Sequence, residues 1–512
     1  MKPTFIALLA LCLCLAVGCG ESKEEKAAKA KAAAAEAKAA AEAKAAADAR
    51  VIEWAKAAPK PNIVFIFIDD MGYGDIGPFG STVNKTPELD RMAAEGMRLT
   101  DFYVSSTACT PSRSALMTGC YADRIGMDGR VNFPGGARGL NPSEITIAEL
   151  LKTQGYATGC FGKWHLGDDL SFMPLAQGFD EYAGIPYSND MWSGKKRHPP
   201  LPYIKGNKAV AHISNGADQS LLCKAATDEA VDFIKRHKDS PFFLYVPHSY
   251  IHGPRFVRKE LLDAAEGNIT RAQIEEVDWS TGQILKALRD EGLAKKTLVI
   301  FTSDNGGSGG TSMGPLRGNK GGNKYEGHMR VPTVAWWPGT IAADSQTAEI
   351  SSTIDMLPTF AKLAGATMPT DRVIDGKDVS ALLIETNAKS PHQLMFYEFE
   401  GIRRGPWKVV RHGNANHTHS GYTTVELYNL DDDLGEEKNL ADQYPVMMQE
   451  LIDLLNKHQK SVESGRRPAA SVDNPKPFIP SGPVTGIPAL VDYLGVPAFE
   501  VGTGKTRKKR RE

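Results

Sequence analysis

Asn62-Ile63-Val64-Phe65-Ile66-Phe67-Ile68 is an unbroken apolar run rich in β-branched residues, and it stops abruptly at Asp69-Asp70. A run without polar alternation predicts a strand buried on both faces. Pro241 to Val246 repeats the pattern, as does Thr297 to Thr302, which runs into Ser303-Asp304-Asn305-Gly306. Between these runs, apolar residues recur at helical spacing over Ser143–Gln154, Ala225–Arg236 and Ile274–Arg289. Strands alternating with helices predict an α/β fold with a large, mostly parallel sheet between helices. In such folds the site lies at the carboxyl ends of the strands. Past about Asp378 the pattern changes to short runs, Gln393–Phe399, Trp407–Arg411 and Val425–Leu430, read as a smaller antiparallel sheet, followed by a helix over Val446–His458. From Ser461 the chain is rich in Pro and Gly and ends in a basic run, Lys505 to Arg511, so disorder is expected there.

The N-terminus reads as an address. Lys2 precedes an apolar stretch, Phe5 to Val17, too short to span a bilayer. It ends Leu15-Ala16-Val17-Gly18-Cys19, which resembles a bacterial lipobox with Ala16 where leucine is usual. Lipidation of Cys19 and ordinary signal cleavage nearby are the two alternatives, and both take the mature protein out of the cytoplasm, to the periplasm or cell surface of a bacterium. Glu21 to Ala58 is almost entirely Ala, Lys and Glu, a helix-favouring, semi-rigid spacer. The expected order is therefore a signal (1–19), a stalk (20–59), a large α/β domain (60–377), a C-terminal antiparallel subdomain (378–460) and a tail (461–512). The 60 Lys and Arg nearly balance the 61 Asp and Glu, which points to no nucleic-acid partner. Of the 7 cysteines, Cys12, Cys14 and Cys19 fall in the signal, and too few remain for a disulfide-stapled scaffold.

Candidate chemistry collects at a few points. In Cys109-Thr110-Pro111-Ser112-Arg113, Pro111 suits the first turn of a helix, Cys109 falls at the helix start, and Arg113 lies one turn on. A buried cysteine beside a capping turn is the plain alternative. Asp69 with Asp70, and Asp304 with Asn305, end two buried strands; three carboxylates together call for a cation, and oxygen-only donors select calcium or magnesium over zinc. Gly72-Tyr73-Gly74-Asp75-Ile76-Gly77 imitates a dinucleotide loop, but Pro78 follows it and no helix start is poised for a pyrophosphate. The cluster His412, His417 and His419 reads as a solvated loop.

The Cys109 run, continuing Ser114-Ala115-Leu116-Met117-Thr118-Gly119, resembles the signature of the type I, formylglycine-dependent sulfatases, with the arylsulfatase-A-like branch closest. Gly162-Lys163-Trp164-His165-Leu166-Gly167 resembles their second signature, His252-Gly253-Pro254 their histidine–x–proline, and Arg317-Gly318-Asn319-Lys320 their RGxK. Ile251 replaces a usual proline, His328 stands where glycine is common, and one extra residue lies between Arg317 and Tyr325, which makes Lys320 rather than Lys324 the matching lysine. Ile185-Pro186-Tyr187-Ser188-Asn189-Asp190 resembles a stretch that places a serine in the pocket.

The resemblance implies an alkaline-phosphatase-like sandwich and hydrolysis of sulfate monoesters, of a sulfated glycan or an aryl sulfate. It implies that a formylglycine-generating enzyme oxidises Cys109, and that one Ca2+ is held by Asp69, Asp70, Asp304 and Asn305 together with residue 109. The hydrated aldehyde would attack sulfur, with Asp304 assisting, and form a covalent sulfate ester. Arg113, Lys163 and Lys320 would hold charge, His252 with Lys320 would protonate the leaving oxygen, His165 would free the sulfate, and Ser188 would donate to it. A phosphomonoester or phosphonate hydrolase of the same superfamily, and a surface glycan-binding protein without catalysis, are the competing readings.

Overall fold

The computed structural model describes residues 60–503 apart from 130–133, 195–197, 323–324, 386, 414–421 and 483, together with Lys31 and Lys38. The signal, almost all of the stalk, the basic terminal run, Lys324, His417 and His419 lie outside the described residues.

Alternate residues of the strand Asn62–Ile68 enter two different cores. Ile63, Phe65 and Phe67 pack on one side of the sheet, and Val64, Ile66 and Ile68 on the other, all at most 1% exposed. At roughly 1.5–3 kcal/mol for each large apolar side chain buried, a strand of this composition is stable only inside a sandwich. It pairs in parallel with Thr297–Ser303 on one side and Phe242–Pro247 on the other. Among the described residues the sheet has ten strands, with Ala157–Lys163 and Glu181–Ile185 extending the parallel run. Val334–Trp336 joins it antiparallel beyond Thr297–Ser303, and Leu201–Lys205 with Lys208–Ile213 close the other edge antiparallel. The result is the mostly parallel, helix-covered sheet that the sequence pattern implies.

Helices appear where the periodicity puts them, with shifted ends. Leu222–Arg236 and Ile269–Asp290 start earlier than expected, the second under an Asn268 cap whose Oδ1 accepts from two backbone N–H groups. The expected helix Ser143–Gln154 is only Ile147–Lys152, because Thr146 and Glu149 form a capping box that fixes a later start. Met395–Tyr397, Gly401–Arg404, Trp407–Gly413 and Tyr422–Asn429 make the antiparallel C-terminal sheet, and the helix Pro445–Ser464 packs beside it.

Over the described residues of 461–503 the structure differs from the expected disorder. Ala470–Ser471 pairs with Arg138–Gly139, Leu490 is fully buried, and Val501–Thr503 pairs antiparallel with Phe256–Arg258. Proline and glycine here build an extended strap along the domain, which needs few apolar anchors. Cys109, Cys120, Cys160 and Cys223 are all free and buried.

Candidate active site

The register Ile68↔Ser303 sets the ends of two central strands side by side. Asp69 and Asp70 therefore meet Asp304 and Asn305 as a direct consequence of strand pairing. The Asp70 N–H donates to Asp304 Oδ1 at 3.2 Å, and Asn305 Nδ2 donates to Asp70 Oδ1 at 2.8 Å. Asp70 itself has φ 67°, a left-handed conformation that costs a non-glycine residue about 1–3 kcal/mol and is commonest at functional sites.

Cys109 opens the helix Cys109–Thr118, every residue of which is buried. Its N-cap, Ala108, supplies no side-chain acceptor, so the helix start is left to whatever faces it. What faces it is mixed in charge. Cys109 Sγ lies 3.3 Å from Asp69 Oδ1 and receives a hydrogen bond from Lys320 Nζ at 3.3 Å. Burial, then Asp304 and Asp69, push the thiol up to about 12. It is therefore a protonated thiol at neutral pH and a poor nucleophile as cysteine.

The cations arrive from three elements. Arg113, one turn after Cys109, donates from Nε and Nη2 to Asp304 Oδ2 at 3.0 and 2.7 Å and from Nη1 to the Lys163 carbonyl at 3.1 Å. Lys163 ends the strand Ala157–Lys163 and its Nζ donates to Asp69 Oδ2. Lys320 Nζ lies 2.5 Å from Asp70 Oδ1. The side chains of Arg113, Lys163, Asp69 and Asp304 have no solvent exposure at all. Burial would raise Asp69, but Lys163, His252, Arg113 and Lys320 together hold it well below the usual carboxylate range. Asp304 goes the other way: burial and the neighbouring Asp69 lift it to about 6 despite Arg113, a value suited to proton transfer near neutrality. Burial alone would lower Lys320, yet Cys109, Asp70 and Asp69 keep it well above its ordinary value and so charged.

Two histidines complete the set. His165 follows Lys163 in a left-handed conformation, φ 63°, with its carbonyl accepting from Thr110 Oγ1 at 3.1 Å. Both ring nitrogens are buried without a partner, and burial, Lys163 and Arg113 drive its pKa well below the usual histidine value. A neutral imidazole can take a proton. His252 is brought in by backbone: Asp69 N–H donates to the Tyr250 carbonyl and Ile251 N–H to the Asp69 carbonyl, at 2.8 and 2.7 Å. Its Nδ1 bonds the Gly253 carbonyl at 2.6 Å, so Nε2, 3.9 Å from Asp70 Oδ2, is the free nitrogen of a partly exposed ring.

Ser188 Oγ is buried without a partner. Asn189, which sequence reasoning passed over, donates from Nδ2 toward the carbonyls of His252 and Pro254 at 3.4 and 3.3 Å. Glu398, at the turn of the C-terminal sheet, accepts from Ser106 Oγ at 2.6 Å just ahead of the Cys109 helix; no motif signals it. His248 is a structural residue, fully buried with Nε2 on Ser280 Oγ at 3.0 Å, and His412 pairs with Glu426 at 2.7 Å. The groove of about 280 Å3 bounded by Met97, Ser345–Glu349, Leu382–Glu385 and Asn387–Lys389 lies along an edge strand and contains none of these groups.

The oxygen donors at the two strand ends, Asp69, Asp70, Asp304 and Asn305, fit a hard cation, with the Cys109 thiol and the His252 imidazole close by. Asp69, Asp70, Cys109 and His252 each offer a ligand atom within 4.8 Å of the others. Asn305 Oδ1 is buried without a partner beside Asp70 and Asp304. Three carboxylates, Asp69, Asp70 and Asp304, with the unmet Asn305 amide oxygen suit calcium or magnesium.

Residues 61–366 match the sulfatase family, and residues 323–464 match the family described as N-sulphoglucosamine sulphohydrolase, C-terminal. Arylsulfatase A of Homo sapiens is 39% identical over 430 residues, covering 75% of this chain and 84% of its own. N-acetylgalactosamine-6-sulfatase of Mus musculus is 33% identical over 463 residues, covering 80% and 89%. The solved structure of Ps i-CgsB in complex with k-i-k-neocarrahexaose superposes with a TM-score of 0.70 at 28% identity, covering 81% of this chain and 95% of that one. The phosphonate monoester hydrolase of Agrobacterium radiobacter has a TM-score of 0.55 at 20% identity, covering 78% and 96%, a likeness of fold alone.

Proposed function

The chain belongs to the sulfatase family and is a sulfuric ester hydrolase, and we propose that it removes sulfate from a sulfated glycan, using a formylglycine made from Cys109 and a calcium ion. The observation that carries this reading is the convergence of Arg113, Lys163 and Lys320 on the Cys109 end of one helix, opposite the acidic strand ends. A glycan substrate is favoured by the likeness to a structure holding a neocarrahexaose; a small aryl sulfate is the alternative.

A sulfate monoester spreads one negative charge over three oxygens, and its hydrolysis needs a nucleophile in line, cations on those oxygens and an acid for the departing one. Asp69, Asp70, Asp304 and Asn305 would hold the calcium, which supplies a fixed positive charge for a sulfate oxygen. The oxidised residue 109 supplies a hydrated aldehyde, a nucleophile that can later release sulfate, as a plain hydroxyl could not. Asp304 takes the proton of the attacking hydroxyl. Lys163 and Lys320 hold sulfate oxygens, and Arg113 locks Asp304 and the Lys163 backbone in register. His252 acts from its imidazolium form: Nδ1–H stays on the Gly253 carbonyl and the Nε2 proton, with Lys320 alongside, passes to the leaving oxygen. His165, neutral and unpartnered, takes the second proton when sulfate departs, and Ser188 donates to the bound sulfate.

Maturation by a formylglycine-generating enzyme, export, and attachment to a membrane through lipidated Cys19 belong to the same proposal. Parallel assays on an aryl sulfate and an aryl phosphate test the chemistry: faster phosphate turnover would sink the sulfate reading. Peptide mass spectrometry across Cys109 tests the nucleophile, since conversion of the thiol to the aldehyde lowers the mass and ordinary thiol oxidation raises it. An unmodified thiol in protein from its native host, without turnover, would support the glycan-binding reading.

A further inference from the structure

Lys320 differs from the other two site cations in what holds it. Arg113 rides on a helix and Lys163 ends a central strand, whereas Lys320 itself lies in neither a helix nor a strand. Its own N–H donates to the Gly307 carbonyl at 2.8 Å. The stretch packs tightly against the strand end it follows: a Cβ on Gly306 would stand 2.0 Å from the Gly327 carbonyl oxygen.

The two ends of the Lys320 stretch meet at one residue of the C-terminal unit. At the front, Arg317 Nη1 donates to the backbone carbonyl of Glu436 at 2.5 Å. At the rear, the Glu326 N–H donates to the Glu436 carboxylate at 2.7 Å. The Glu436 and Glu326 carboxylates would repel each other, but Lys408 Nζ lies between them at 2.7 and 2.9 Å, with all three side chains fully buried. Lys408 comes from the strand Trp407–Gly413, so the clasp is assembled from two parts of the C-terminal unit. Glu436 adopts φ 54°, a conformation that is uncommon for glutamate and carries a strain cost.

We propose that Glu436, neutralised by Lys408, is a positioning residue for Lys320, so that the C-terminal unit completes the sulfate-holding cation set. The inference rests on reading Lys320 as a sulfate-binding cation. A displacement of about 1 Å in such a group costs up to about 100-fold in rate.

The test is a double-mutant cycle on aryl sulfate hydrolysis, joined to hydrogen exchange of the peptide spanning residues 306–328. Glu436→Ala is expected to lower kcat/KM by about 10- to 100-fold in the wild-type background but by less than about twofold in Lys320→Ala, because coupled residues are not additive. Glu436→Gln keeps an acceptor for the Glu326 N–H and should recover most of the loss. Exchange should quicken in the 306–328 peptide and not in the strands Asn62–Ile68 and Thr297–Ser303. Should Glu436→Ala not fold, Arg317→Ala, whose side chain is on the surface, carries the same cycle. Equal losses in both backgrounds, or unchanged exchange, would overturn the proposal. Absence of sulfate ester turnover in the wild type would defeat the sulfate reading alone, and the exchange measurement would still decide whether Glu436 holds the loop.

Discussion

Glu276 lies on the helix Ile269–Asp290, 3% exposed, with neither carboxylate oxygen hydrogen-bonded. Burial pushes its pKa up to about 8; Arg258 pulls it down only partly, and Glu260 pushes further up. In the unfolded chain a glutamate titrates near about 4.3. Between these values the folded state keeps a proton that the unfolded state has released, so stability falls as pH rises. The contribution is fully present below about pH 4.3 and is lost progressively up to about pH 8. At about 1.4 kcal/mol per pH unit, the loss from this one group between pH 5 and pH 8 is about 3–4 kcal/mol. Glu276→Gln removes the titration at nearly constant volume, and Glu276→Met also removes the unmet polar group, worth a further ~1–3 kcal/mol. Urea unfolding of wild type and both variants at several pH values between 5 and 8 measures this directly. The gap between wild type and Glu276→Gln should widen in the variant's favour as pH rises. Parallel curves, or a gap that closes with rising pH, would refute the assignment of a neutral, unpartnered Glu276.

Three further outcomes follow from the site. Arg113→Met strands Asp304 without its cation in a fully buried setting and should cost about 3–5 kcal/mol in urea unfolding, much of it recovered by Arg113→Met with Asp304→Asn; equal stability of Arg113→Met and wild type contradicts this. Added calcium should raise the melting temperature of wild type and not of Asp70→Asn with Asn305→Ala, and a chelator should reverse the rise. Ser188→Ala deletes a buried hydroxyl that has no partner in the protein, so it should leave stability unchanged or higher by up to about 1 kcal/mol while lowering kcat/KM; a loss of stability would show that the hydroxyl serves the fold.

The acidic strand ends were legible because apolar runs are local and parallel pairing does the rest: two strands in register must place their next residues side by side. The Cys109 helix was legible for the same local reason. Its electrostatics were not, since the carboxylates that raise the thiol come from residues 40 positions back and nearly 200 ahead. His252 carried a motif, but the backbone bonds that deliver it to the site, between Asp69 and Tyr250–Ile251, have no side-chain signature. The tail was misread because strands of two or three residues carry no periodicity, and Pro with Gly suits a strap as well as a disordered end. Glu398 and Glu436 belong to a unit built almost three hundred residues or more after Cys109, and nothing in their local sequence points back to the loops they hold.

The unpaired atoms say most about where a substrate sits. A buried polar atom left unmet costs about 1–3 kcal/mol, so folding removes such atoms unless something else requires them. Some, like Glu276, lie deep under a helix and are handled by protonation. Those near the strand ends are of another kind: both nitrogens of His165, Oγ of Ser188, Oδ1 of Asn189 and Oδ1 of Asn305. They are linked by backbone. The His165 N–H donates to the Pro186 carbonyl, which sets the 186–189 stretch beside the second signature, and Asn189 reaches the His252 carbonyl. The stretch thus runs from His165 to His252, with Ser188 between. In the same region Asp70 and His165 hold left-handed backbone, a second cost. Two separate kinds of penalty in one place are best explained by interactions formed with a ligand, and an anion bearing several acceptor oxygens beside a hard cation would meet both donors and unmet oxygens there.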